Sequence, residues 1–325
     1  MFRQFLLVLL VLLSPPLKVY AAGPVAGDDP WLLLEKASQA AHQLSYKGIF
    51  VYQAGRTVNS MRITHMNYPQ GEFSRVISLD GAPREMLRQG NDVVIYKSQD
   101  QKVVIDRRRA PSAFPALLPG AAALKASYQV RLAGQERIGE REGTVVSLDP
   151  RDRYRYGYRF SVDRQSGLLL KSVMLNERNE IVEQVAFNQL SLLTGAEDMD
   201  WFRPDIDRAK TYVMGPEDTV TPIAAEGEGW TLTQLPAGYR KIEHVKRDIP
   251  GKPVPINHLV FSDGLSSVSL FIELLDKSSK PKLGHMVQGA TNLYAITADG
   301  YQIIVVGEVP EATVRLIAGA VSFKK

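Results

Sequence analysis

Tyr154, Tyr156, Tyr158 and Phe160 stand at every second position of "RYRYGYRF", and Arg153, Arg155 and Arg159 fill most of the gaps. Successive side chains of a strand point to opposite faces. A strand here would carry aromatic rings on one face and guanidinium groups on the other. Tyrosine hydroxyls hydrogen-bond water or a ligand. Guanidinium groups pair with carboxylates or phosphates. This is the chemistry of binding, not of bond breaking. Two readings of the aromatic face follow. It is either the core side of a half-buried sheet, or the wall of a cleft for acyl chains or a peptide. On both readings the arginines face outward. Met174, on the next strand, and Phe114, in a proline-rich segment, join the cleft candidates.

No catalytic set accompanies these residues. His42, His65, His244, His258 and His285 are scattered, with no i,i+4 pair and no HExxH, so zinc is not expected. There is no G-x-S-x-G elbow and no glycine-rich phosphate loop. A carboxylate pair could hydrolyse sugars, but Asp80 and Glu85 only flank the turn "DGAPRE", as a turn residue and an exposed strand residue. In that turn Gly81 would supply a positive φ, and Asp80 would bond the loop backbone. Asp80, Arg84 and Glu85 are candidates for contact with a partner. No cofactor is expected and the chain is not read as an enzyme.

The elements that position these residues are mostly strands. Asp28-Asp29-Pro30 starts a helix, with an acidic cap and proline at the first helical position. Leu33, Ala37, Ala40, Ala41 and Leu44 carry its period through to Tyr46. After Gly48 the period becomes two. "GIFVYQ", "SMRITHM", "FSRVISL", "REMLRQ", "DVVIYK" and "KVVIDR" are separated by turn signals, the pattern of an antiparallel sheet or barrel. The stretch from Arg107 to Lys125 breaks that rhythm and is either a lid or a short helix packed on the sheet. Strands resume at Tyr128, with hairpins at Ser166-Gly167 and at "NERNE". About a dozen strands up to Leu193 make a sheet that must curl or close. A Pro/Gly/acid-rich linker (206–229) leads to a smaller α+β unit that opens at Trp230. "YRKIEHVKRD", "INHLVFSDG", "SSVSLFIELL", "NLYAITADG" and "YQIIVVGEV" are its strands, and "PEATVRLIAGAV" its final helix.

Arg3, the apolar run Phe5–Leu13 and the small residues before Gly23 have the layout of a secretory signal peptide over 1–22. The run is too short to span a bilayer. With no cysteine, a lipid anchor on cysteine, disulfides and thiolate metal sites are excluded. The net charge of +4 does not argue for nucleic acid. The reading is an exported protein with a large unit (23–205) and a small one (230–325).

"YKGIFVYQAG", "MRITH", "ISLDGAPREMLRQ", "VVIDRR", "FPALLPG" and "YRYGYRFSVDRQSGLLLKSVML" together resemble the RseB/MucB family of periplasmic sigma-factor regulators, and "HLVFSDGLSSVSLFIE" extends the likeness into the C-terminal part. The resemblance implies an unclosed antiparallel β-barrel of LolA/LolB type with flanking helices, followed by a small α+β domain. It implies a location in the periplasm and binding to the periplasmic segment of a membrane anti-sigma factor of RseA/MucA type. The bound segment would be shielded from the site-1 protease, and lipopolysaccharide or another acyl ligand would displace the regulator. A homo-oligomer stays open. A lipoprotein carrier of LolA type is the alternative, against which the second domain counts.

Overall fold

The Asp29 carboxylate caps the first helix by accepting the Trp31 amide at 2.9 Å. The computed structural model describes residues 29–99, 102–109, 114–195, 198–204, 211–214, 219–222, 229–248, 254–275 and 280–323; the expected signal peptide lies outside them. Helix α1 (Pro30–Gln43) buries Leu34, Ala37, Ala40 and Ala41. It ends earlier than its apolar period suggests, because Tyr46 already belongs to the first strand and is buried there.

The large sheet contains β1 (Ser45–Ala54), β2 (Thr57–Tyr68), β3 (Gly71–Ser78), β4 (Arg84–Gln89), β5 (Asp92–Gln99), β6 (Lys102–Arg109), β7 (Tyr128–Ile138), β8 (Arg141–Pro150), β9 (Gly157–Asp163), β10 (Leu169–Leu175), β11 (Ile181–Leu193) and β12 (Thr211–Met214). Its order is β12-β6-β5-β4-β3-β2-β1-β11-β10-β9-β8-β7. The two meanders β1–β6 and β7–β11 join where β11 pairs with β1, and β7 and β12 are the two edge strands among the described residues. The sheet is therefore an unclosed barrel wall. At Gly48 a Cβ would lie 2.4 Å from the Gln189 carbonyl oxygen, so only glycine fits beside the bulge at Ile49/Phe50.

The small unit has seven sheet strands, β13 (Thr219–Pro222), β15 (Arg240–Asp248), β16 (Ile256–Ser262), β17 (Ser267–Leu274), β18 (Gly284–Gln288), β19 (Thr291–Ala298) and β20 (Tyr301–Gly307). A short pair, β14 (Trp230–Leu232) with β21 (Val321–Phe323), and helix α2 (Glu311–Gly319) complete it. Helix α2 buries Val314, Ile317 and Ala318 in a core with Leu270, Ile303 and Val305.

The structure adds detail to three regions read from the sequence. The segment expected to be a linker supplies an edge strand to each sheet: β12 pairs parallel with β6, and β13 pairs with β15. The proline-rich segment packs on the sheet. Its Leu118 and Leu124 are buried around a short 3-10 turn at Ala121–Ala123. The aromatic alternation does not mark one strand, because β9 starts only at Gly157. Residues 151–156 form a bend between β8 and β9.

The β9–β10 hairpin shows how local polar groups set the register. The Asp163 Oδ2 accepts from the Ser166 amide at 2.9 Å, from the Ser166 hydroxyl at 2.5 Å and from Arg141 Nη2 at 2.8 Å. Burial pushes the Asp163 carboxyl up, but the bonds from Arg141 and Ser166 outweigh it and hold the group below its ordinary value. A group with a depressed folded pKa contributes stability above its unfolded pKa and loses it as pH falls through the folded value. Wild type should therefore be more stable than Asp163→Asn near pH ~7, and the gap in urea midpoint should close below pH ~3.9. A gap that is unchanged in acid would show that the ionised carboxylate is not the stabilising form.

Candidate functional site

The candidate residues of the aromatic ladder lie where the small unit sits against the bend at 151–156. Asp152 makes the bend: its Oδ1 accepts the Tyr154 amide at 2.9 Å, an Asx turn. The turn swings Arg155 inward. Arg155 is not outward-facing but 1 % exposed. Its Nε and Nη2 each lie 3.0 Å from an oxygen of Asp152, and its Nη1 lies 3.0 Å from Asp263 Oδ2. Asp263 belongs to the β16–β17 turn of the small unit, so this ion pair joins the two units. The Arg155 Nη2 also donates to the Ala237 carbonyl at 2.5 Å. The Asp263 Oδ1 accepts the Leu265 and Ser266 amides at 3.0 and 2.9 Å. Burial pulls the Arg155 guanidinium down, but Asp152 and Asp263 outweigh it and hold it above its ordinary value. Arg153 and Arg159 stay exposed.

The tyrosines continue this contact. The Tyr154 carbonyl accepts from the Tyr239 hydroxyl at 3.0 Å and from Thr313 Oγ1 at 2.7 Å. The Tyr156 hydroxyl donates to the Ala290 carbonyl at 3.1 Å and accepts from Asn292 Nδ2 at 3.0 Å. The Tyr158 hydroxyl lies 3.0 Å from Ser266 Oγ. Burial pushes the Tyr156 phenol up to about 12 and the Tyr158 phenol higher still. Phe160 stacks on Tyr158, with ring centroids 5.5 Å apart, and is core. The ladder thus combines core packing with contact to the small unit.

Beside it lies a cavity of about 640 Å³. The large unit lines it with Phe50, Tyr52, Met61, Phe114, Tyr158, Met174 and Glu183, and the small unit with Leu265, Thr291, Val306 and Glu308. Met174 and Tyr158 are register partners across β10 and β9. The Phe114 ring lies 5.4 Å from Phe50 and 5.0 Å from Phe187, centroid to centroid. Of the cleft candidates, Tyr158, Met174 and Phe114 therefore share one cavity. Tyr154 and Tyr156 line a second cleft of about 1010 Å³ with Arg153 and Arg315. Phe160 lines neither of these two cavities.

The "DGAPRE" turn is elsewhere. Asp80 and Arg84 are exposed there, and Gly81 has φ +69°. Asp80 accepts the Ser60 amide of β2 at 2.8 Å rather than an amide of its own loop. Glu85 is not an exposed strand residue but 8 % exposed, paired at 2.5 Å with Arg75 Nε. Arg75 in turn donates to the Trp201 carbonyl. No group of three metal-ligating side chains occurs among the described residues.

Missed from sequence were Arg155 as a buried partner, together with Asp152, Asp263, Asn292, Glu183 and Glu308. Turn chemistry offered one signal. Pro150 followed by Asp152 breaks a strand before Gly157, and a broken strand no longer dictates that Arg155 faces away from the tyrosines.

An unclosed β-barrel wall clasping a small α+β unit over an apolar cavity defines a two-unit binding protein. The comparisons name its family. The MucB/RseB N-terminal domain model matches residues 29–206, and the MucB/RseB C-terminal domain model matches residues 224–322. The chain belongs to the MucB/RseB family. It is 31 % identical over 319 residues to the sigma factor AlgU regulatory protein MucB of Pseudomonas aeruginosa, covering 95 % of both chains. It is 25 % identical over 311 residues to the sigma-E factor regulatory protein RseB of Escherichia coli, covering 94 % of both. The crystal structure of MucB in complex with MucA(peri) aligns with a TM-score of 0.72 at 27 % identity. That alignment covers 91 % of this chain and 100 % of that one.

Removing one partner of a buried ion pair leaves the other charge uncompensated. Arg155→Ala, which leaves the fully buried Asp263 carboxylate without its cation, should therefore lower unfolding stability by about 3–5 kcal/mol. The exposed Arg131–Asp149 pair, at 2.7 Å, is the control: Asp149→Ala should cost less than ~1 kcal/mol. Urea titrations of both variants check this. Equal losses would mean that the seam pair is no more than a surface contact.

Proposed function

We propose that this protein is an exported regulator of a sigma factor. It binds the periplasmic segment of a membrane anti-sigma factor, shields that segment from the first protease of a cascade, and is released when an acyl ligand such as lipopolysaccharide is sensed. The observation that carries the reading is the cavity at the seam, lined from both units by Phe50, Phe114, Tyr158, Met174 and Val306. Its apolar walls suit an acyl chain, each buried methylene contributing about 0.8 kcal/mol. The crystallised complex of MucB with MucA(peri) supports the choice of partner. Regulation of a sigma factor is the function in the names of both relatives. On this reading the linker at 206–229 separates two domains, and the exposed Asp80 and Arg84 contribute to partner contact, whereas Glu85 is committed to Arg75.

A ligand shifts an equilibrium only by its differential affinity for the two states. The acyl ligand must therefore bind the free protein better than the partner-bound one. Filling the seam cavity provides this difference if the bound segment needs the same groove or a different separation of the units.

The test is protease protection of the cognate anti-sigma periplasmic domain. The intact protein should slow its cleavage, and lipopolysaccharide should restore cleavage. Met174→Trp, which fills the cavity, should keep protection and reduce the response to lipopolysaccharide by about tenfold or more, the loss of about two or more buried methylenes' worth of affinity. Cleavage at the unprotected rate with the intact protein present would overturn the reading.

A further inference from the structure

The walls of the seam cavity are apolar, but its polar inventory is one-sided. Among the described residues no lysine, arginine or histidine lines it. Two carboxyl groups do, one from each unit: Glu183 on β11 and Glu308 just beyond β20. The Tyr52 hydroxyl donates to Glu183 Oε2 at 2.8 Å. Glu308 stands at the exposed mouth and has no hydrogen bond or ion pair among the described residues. Burial pushes the Glu183 carboxyl up, the Tyr52 bond pulls it back in part, and Glu308 pushes it up again, so that it stays above its ordinary value; burial alone raises Glu308. The other titratable groups of the lining, Tyr52 and Tyr158, are phenols, also pushed up by burial and by these two glutamates. Among the described lining residues no cation stands beside the pair, and only the Tyr52 hydroxyl bonds to it.

A carboxylate drawn partly out of water without a counter-charge is costly. An occupant that brings the counter-charge removes that cost, and one that brings a further negative charge adds to it. We propose that the seam cavity selects an aliphatic chain ending in an ammonium group, which Glu183 and Glu308 hold, and disfavours a chain ending in a carboxylate. The chain lies along Phe50, Met61, Phe114 and Met174. This rests on the acyl-binding reading and adds the head group to it. It also means that an anionic amphiphile must keep its charged head outside the cavity, with only its tails inside.

The experiment is calorimetric titration of the full-length mature protein at neutral pH with decylammonium, decanoate and decanol, each below its micellar concentration. Decylammonium should bind at least about tenfold more tightly than decanoate, with decanol between them. Glu308→Gln should narrow the gap, and the Glu183→Gln/Glu308→Gln double variant should bring decylammonium and decanoate to within about twofold. Melting curves establish that the variants are folded, and Glu308→Gln, at the exposed mouth, gives a second readout if the double variant unfolds. Three equal affinities in the wild type would overturn the head-group selection and leave the acyl reading standing. No binding of any of the three would overturn both. A preference for decylammonium that persists in a folded Glu308→Gln variant at full strength would overturn the assignment to this pair.

Discussion

The buried ion pair between Arg155 and Asp263 is the constraint on which the seam depends. Both charges are out of water, and each is satisfied several times over. Arg155 is forked onto Asp152 and reaches Asp263 and the Ala237 carbonyl. Asp263 accepts two backbone amides of its own turn as well. Buried pairs of this kind contribute little net stability compared with apolar replacements, but they tolerate few alternative arrangements. Their value here is positional. With Arg155 and Asp263 in register, Tyr156 falls opposite Ala290 and Asn292, and Tyr158 opposite Ser266. Those contacts place β20 and the β16–β17 turn across from Met174 and Phe114, which encloses the cavity.

The two clefts differ in chemistry because they lie on different sides of this contact. One has aromatic and aliphatic walls with carboxyl groups, and the other has Arg153, Arg178 and Arg315 around Tyr154 and Tyr156. In the second cleft most of the charge is already compensated. Arg178 pairs with Glu180, and Arg315 pairs with Glu311 while stacking 4.4 Å from the Tyr294 ring centroid. The first cleft has no such internal compensation. A ligand that prefers the apolar cleft therefore gains from both burial and charge, whereas the arginine cleft offers mainly solvated, paired groups of low individual worth.

Much of the fold was legible in the residues. Period-two runs and their turn residues located most strands of both sheets, because β-branched and aromatic residues alternate there with polar ones, but not β12, β13 or β18. Asp29-Pro30 marked the start of α1. Not legible was the departure from the strand at 151–156. Its alternation of tyrosine and arginine mimics a strand, but the Asx turn at Asp152 rotates Arg155 to the tyrosines' side. Alternation reports which faces residues take only while the backbone stays extended. The partners of the tyrosine hydroxyls were invisible for another reason: Ala290, Asn292 and Ser266 lie more than a hundred residues away in sequence. The cavity was inferable only in outline. Tyr158, Met174 and Phe114 line it, but its acidic pair depends on the docking of β20 against β11, which no local pattern encodes.

The central claim is that one acyl chain is held by both units at once. Photolabelling tests it most directly. A decyl chain carrying a terminal diazirine is bound to the intact protein, irradiated, and its adducts are mapped by peptide mass spectrometry. The account predicts adducts in both units, at residues such as Met61 or Met174 on one side and Leu265 or Val306 on the other, all suppressed by Met174→Trp. Adducts confined to the exposed apolar residues Leu283, Met286 and Val287 of the small unit would contradict it.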